Sequence, residues 1–88
     1  MLKKWKIKLH RKAKHELERI HPTWRERIIS KIKKLADDPF VGEKLLGEWQ
    51  NFRKLRVGDY RIVYTVEKDI RIVAVLHIGK RGDIYKKI

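Results

Sequence analysis

The sequence predicts an α+β domain: a helical hairpin packed on a small, mainly antiparallel sheet, in the order β-α-α-β-β-β. Three observations carry this. Apolar spacing begins as alternation, switches to helical period for two segments, and returns to strand-like runs in the last part of the chain. Proline and glycine punctuate the segments, at Pro22, Pro39 and Gly58. The chain has 88 residues, which suits one domain, 1–88, with one core.

Trp5, Ile7 and Leu9 alternate with Lys6 and Lys8, which predicts a half-buried strand. Over 11–20, Ala13, Leu17 and Ile20 fall on one helical face. His21-Pro22 is expected to stop that helix, because the residue before proline is pushed out of the α region. Thr23 to Glu26 reads as a capping box opening a second helix, with Thr23 as N-cap. Trp24, Ile28, Ile32 and Leu35 form its apolar stripe, widened by Ile29 and Ala36, and Asp37-Asp38-Pro39 ends it. Residues 37–51 are expected to be loop. Strands follow at Phe52–Val57 and Tyr60–Val66, joined by Gly58-Asp59, a pair suited to a primed hairpin turn. Ile70–Ile78 is almost wholly apolar and reads as a central strand covered on both faces. The segment from Gly79 to Tyr85 is rich in turn residues.

Charge narrows the partner. Twenty-four Lys+Arg against 11 Asp+Glu leave +13, and such a surplus repels itself in a compact chain. An anionic partner is the direct implication, RNA above all; a thermophile's charged surface is the other reading, but such surfaces usually balance their signs. The first 34 residues hold 13 basic and 3 acidic groups. Lys31, Lys33 and Lys34 lie partly off the apolar stripe of the second helix and are candidates for the phosphates of an RNA partner.

The hairpin gives the sharper argument. A two-residue turn pairs Val57 with Tyr60, Arg56 with Arg61, Leu55 with Ile62 and Lys54 with Val63. Alternation then puts Leu55, Val57, Tyr60, Ile62 and Tyr64 on a core face, and Phe52, Lys54, Arg56 and Arg61 on the other. Like charges directly opposite destabilise a sheet. The cluster is either a solvated face of a basic chain or a site. Phe52 beside it suits base stacking while guanidinium groups hold phosphates. Lys80, Arg81 and Tyr85 would join this face if the last strand ends beside the hairpin; Tyr85 reads equally well as packing for a terminus.

Other chemistry lacks a pattern. There is no cysteine, one serine (Ser30), and four scattered histidines without metal-ligand spacing. Only His77, ending the last strand near the basic face, is kept as a participant. No cofactor or metal is expected. No apolar run approaches the roughly 18 residues of a membrane span, so a soluble, cytoplasmic protein without membrane contact is expected.

Leu55-Arg56-Val57-Gly58-Asp59-Tyr60-Arg61-Ile62-Val63-Tyr64, followed by His77-Ile78-Gly79-Lys80-Arg81-Gly82-Asp83-Ile84-Tyr85, resembles the RelE/ParE superfamily of toxins. The element order and length match over essentially the whole chain, and the ending tilts toward the RelE branch. The resemblance implies an endoribonuclease that cleaves messenger RNA in the ribosomal A site and is silenced by an antitoxin. Carried over by position, Lys54, Arg56, Arg61, Arg81 and Tyr85 are the implied catalytic residues; members of the superfamily differ at the position of Lys54. The chain stops three residues after Tyr85, which leaves little room for a carboxy-terminal helix.

The implied reaction is attack of a 2′-OH on its own 3′-phosphate. Arg61 and Arg81 are assigned to phosphate stabilisation, Lys54 or Tyr85 to accepting the proton, and Arg56 to positioning. ParE-like relatives act instead on DNA gyrase, and an RNA- or ribosome-binding protein without catalysis is a third reading. The implied partners are an acidic antitoxin, which folds around the toxin, together with the ribosome and messenger RNA.

Overall fold

A computed structural model describes residues 4–47 and 51–80. The elements run β1 (Lys6–Leu9), α1 (Arg11–Glu18), α2 (Pro22–Lys34), β2 (Glu43–Lys44), β3 (Arg53–Val57), β4 (Tyr60–Glu67) and β5 (Ile72–Lys80). They build one mixed five-stranded sheet in the order β1-β5-β4-β3-β2. Only β1 runs parallel to its neighbour, β5; the other pairings are antiparallel. The helices pack on one side of the sheet. Ala13 and Leu17 of α1 and Ile28 and Ile32 of α2 meet Val57, Ile62, Tyr64, Val73, Val75 and Ile78 in a single core.

The β3–β4 register is the one that alternation and a two-residue turn demand: Leu55 opposes Ile62, Arg56 opposes Arg61, and Val57 opposes Tyr60. Gly58 has φ 59° at the first central turn position, where a type II′ hairpin turn needs a left-handed residue. A Cβ there would also collide with the Trp24 indole of α2. One turn therefore sets the register and seats the hairpin against the helix.

The helix boundary differs from the expected one. His21, not Thr23, is the N-cap of α2: its Nδ1 accepts a hydrogen bond from the Thr23 N–H at 3.2 Å, and Pro22 takes the first helical position. Proline's fixed φ and missing N–H suit that position, so Pro22 starts α2 rather than only stopping α1. The helix also ends early, at Lys34 with Leu35 as C-cap. Arg25 ties the two helices together, its Nη2 donating to the carbonyls of Glu18 and Ile20 at 3.3 and 3.0 Å.

Two further expectations are corrected. The 37–51 segment contains the short strand β2, too brief to show any periodicity. The last strand begins at Ile72, not Ile70: Ile70 is exposed, and Arg71 takes φ 54° in the turn before the strand. Burial of the successive residues Val73, Ala74 and Val75 agrees with a central strand covered on both faces. A register irregularity at Val63/Tyr64 shifts β5 by one residue against β4, and His77 and Ile78 beyond it are both buried.

Candidate functional site

The face of the hairpin turned away from the helices carries Lys54, Arg56 and Arg61. Together with Val41, Gly42, Glu43 and Leu55 they line a cavity of about 290 Å³. Its floor is the hairpin, where side chains at alternate positions project to one side. Arg56 and Arg61, register partners, stand side by side. Like charges set opposite one another weaken a sheet, and an anion held between them would offset that cost.

The opposite wall, Val41–Glu43, is held by buried groups. The Tyr64 hydroxyl donates to the Pro39 carbonyl at 2.8 Å and accepts from the Gly42 N–H at 2.9 Å. Arg53, the register partner of Tyr64, donates from Nη1 to the carbonyls of Phe40 and Gly42 at 3.2 and 2.8 Å. A side chain on residue 42 would collide with the Tyr64 hydroxyl and stand 2.7 Å from the Lys54 carbonyl oxygen. Arg53 is thus a structural clamp for the wall, while its neighbours Lys54 and Arg56 face the cavity. Burial pushes the Tyr64 phenol above its ordinary 10.0, against the lowering effects of the Gly42 hydrogen bond and the Arg53 charge.

Glu43 is the residue that sequence reasoning missed. The β2–β3 register sets it opposite Lys54, and its carboxylate lies 3.6 Å from the Lys54 ammonium. The cavity therefore combines a carboxylate with three cations. A two-residue strand inside an irregular segment leaves no periodic trace, so only three-dimensional pairing reveals Glu43.

The remaining candidates are dispersed. His77 is 1% exposed and does not line the cavity. Its Nδ1 lies 2.6 Å from a Glu16 carboxylate oxygen, and the other Glu16 oxygen accepts the Ile78 N–H at 3.0 Å. This pair, 61 positions apart, fastens α1 to the part of β5 that β1 leaves unpaired. Phe52 is half-buried just before β3. Lys80 ends β5 opposite Tyr60, which assigns it to the helix side of the sheet rather than to the face of Arg61. Lys31, Lys33 and Lys34 are exposed in the last turn of α2. Arg81 and Tyr85 lie outside the described residues. Among the described residues, no group of His, Asp and Glu is placed to hold a metal ion, and no helix is long and apolar enough to cross a membrane.

A basic cleft on the open face of such a sheet can be compared with known proteins. Residues 7–85 match the family model of the ParE toxin of type II toxin–antitoxin systems. The chain belongs to this toxin family. This toxin is 30% identical over 86 residues to an Escherichia coli protein named as a RelE-like toxin, across 93% of this chain and 90% of that one. In fold it is similar to the toxin–antitoxin complex RelBE2 of Mycobacterium tuberculosis, with a TM-score of 0.82 at 21% identity, covering 89% of this chain and 99% of that one. The isolated RelE toxin of Escherichia coli gives a TM-score of 0.78 at 25% identity, covering 94% and 93% of the two chains. The α+β architecture and membership in the RelE/ParE superfamily agree with the resemblance carried by the hairpin and the ending of the sequence.

Proposed function

We propose that this toxin is a ribosome-dependent endoribonuclease that cleaves messenger RNA at the Lys54–Arg56–Arg61 cavity. The observation that carries this reading is the convergence of three cations and one carboxylate on a single cleft, large enough for a nucleotide's phosphate and sugar. In the proposed step the 2′-oxygen forms a bond to its adjacent phosphorus and gives up its proton. The P–O5′ bond breaks, and the departing 5′-oxygen takes a proton from water, while the proton leaving the 2′-OH passes to the acceptor in the cleft. Negative charge grows on the equatorial phosphate oxygens, and cations already in place there stabilise it without reorganising.

Arg61 and Arg81 are assigned to that charge. Arg56, which stays protonated at ordinary pH, positions the phosphate. The Glu43–Lys54 pair gives the cleft a carboxylate able to accept the 2′-OH proton, alongside the earlier candidates Lys54 and Tyr85. Lys33 and Lys34 are assigned to ribosomal RNA, with Phe52 as a stacking neighbour. The partner in the cell is an acidic antitoxin, a reading supported by the similar toxin seen in complex with its antitoxin and by the charge of +13.

The test is cleavage of messenger on programmed ribosomes, run beside a DNA gyrase assay. Wild-type toxin should cut the messenger, and Arg61→Ala should cut it about 10²-fold more slowly, the loss of one transition-state charge partner. Gyrase inhibition with intact messengers would move the activity to the ParE type of target.

A further inference from the structure

A second groove opens on the other side of Arg56. It is bounded by Trp24, Arg27, Ser30 and Lys31 of α2 and by Arg56, Val57 and Gly58 of the hairpin, with a volume of about 470 Å³. Its base is built rather than incidental. The Trp24 indole packs where a Cβ on Gly58 would sit and stands 5.8 Å from the Tyr60 ring. Arg27 places its guanidinium 5.0 Å above the same indole. Lys31 follows Arg27 by four residues on the helix, so the two side chains project from one side.

Arg56 is the link between the two depressions: it lines both. Its Nε donates to the Gly58 carbonyl at 3.3 Å, which steadies the guanidinium at the ridge between them. The described residues lining this second groove include three cations and no carboxylate. The first cavity, by contrast, has Glu43 opposite Lys54. The two depressions therefore differ in chemistry. One holds a carboxylate among cations, as a reaction site needs. The other offers cations around an aromatic base and a hydroxyl, as a phosphate-backbone track needs.

We propose that the Arg27–Lys31–Arg56 groove holds the phosphates of the single-stranded RNA that flanks the nucleotide in the Lys54–Arg56–Arg61 cavity. The inference rests on the nuclease reading and deepens it: Arg56 is shared by consecutive stretches of one strand, while Arg27 and Lys31 extend the track along α2. The groove holds phosphates rather than a particular base, because cations on flexible side chains read charge and not base edges. Its contribution is then independent of sequence and sensitive to salt.

The experiment measures fluorescence anisotropy of a labelled trinucleotide and a labelled decanucleotide, both unstructured RNA, against wild-type toxin, R27A/K31A and Arg61→Ala. R27A/K31A should leave trinucleotide affinity unchanged and weaken decanucleotide affinity about tenfold at moderate salt. Losing two phosphate contacts on a single strand should also lower the slope of log Kd against log salt by about 1.4. Arg61→Ala should weaken both oligonucleotides. Unchanged decanucleotide binding in R27A/K31A, with Arg61→Ala still impaired, would overturn the groove and leave the nuclease reading standing. Absence of messenger cleavage by the wild-type toxin on programmed ribosomes would instead overturn that reading. A parallel titration with labelled polyglutamate separates the remaining occupant: if R27A/K31A weakens the acidic peptide and not the decanucleotide, the groove is a protein-docking face and the proposal fails. Thermal melts of the double variant matching wild type, as expected for exposed side chains, assign any binding change to the groove.

Discussion

The two faces of the β3–β4 hairpin come from one alternating stretch of sequence and yet have opposite fates. On the helix side, Val57, Ile62 and Tyr64 are buried in the core. On the other side, Lys54, Arg56 and Arg61 line an open cavity. Apolar groups on the first face gain from leaving water. On the second, two arginines are set directly opposite one another, which costs the sheet stability. The contrast separates the face that folds the molecule from the face that carries the proposed site.

Neighbouring substitutions test this directly, and the largest effect belongs to the core face. Ile62 is completely buried, so Ile62→Ala should cost about 2–5 kcal/mol of stability through lost burial and a residual cavity. Arg61, one residue away, should behave differently: Arg61→Ala should shift stability far less than Ile62→Ala, by about 1 kcal/mol or less, while impairing messenger cleavage. Equal destabilisation by both variants in denaturant unfolding would erase the division between the faces.

Tyr64 and Arg53 sharpen the comparison, because they belong to the folding side and yet shape the site. Their hydrogen bonds hold the Pro39–Gly42 wall. Tyr64→Phe leaves the Gly42 N–H and the Pro39 carbonyl without their buried partner, at a cost of about 1–3 kcal/mol. It should also alter the pH profile. The folded phenol keeps its proton above the pH, near 10.0, at which the unfolded chain releases it. Its stabilising contribution is therefore complete below about pH 10 and is lost as pH rises through the folded value. The difference in unfolding free energy between wild type and Tyr64→Phe should be flat from neutral to mildly basic pH and shrink above that. A difference that stays constant through strongly basic pH would mean that Tyr64 is not held neutral by burial.

The hairpin was legible in the sequence because period-two alternation and a Gly-Asp turn leave one register open. That register alone puts Arg56 opposite Arg61, as the strand pairing has it. The second helix was legible in its stripe, Ile28 and Ile32, but not at its start, where Pro22 satisfies both a helix stop and a first helical position, and the His21 ring supplies a cap that a search for Ser, Thr, Asp or Asn passes over. Three features were not legible at all. The Glu43–Lys54 pairing depends on a strand of two residues. The Glu16–His77 pair joins positions far apart in the chain. The role of Arg53 depends on carbonyls of a loop whose path Tyr64 and Arg53 fix together. Local pattern specifies what repeats along the chain; each of these is a single long-range contact.

The smallest expected effect probes the rim of the cavity. Lys54 and Glu43 face one another at 3.6 Å, with side-chain exposures of 28% and 79%. Water reaches the carboxylate from most directions, so the attraction is screened, and holding two long side chains together costs rotamer freedom. A double-mutant cycle with Lys54→Met and Glu43→Gln should therefore give a coupling energy below about 1 kcal/mol in unfolding, falling further as salt is added. The same substitutions should lower messenger cleavage far more than this coupling would account for, because a proton acceptor and a phosphate partner act on the transition state rather than on the fold. Coupling of several kcal/mol, with cleavage unchanged, would place the pair among the clamps that hold the wall, beside Arg53 and Tyr64. Among the described residues, the open face would then keep Arg56 and Arg61 as candidates for chemistry.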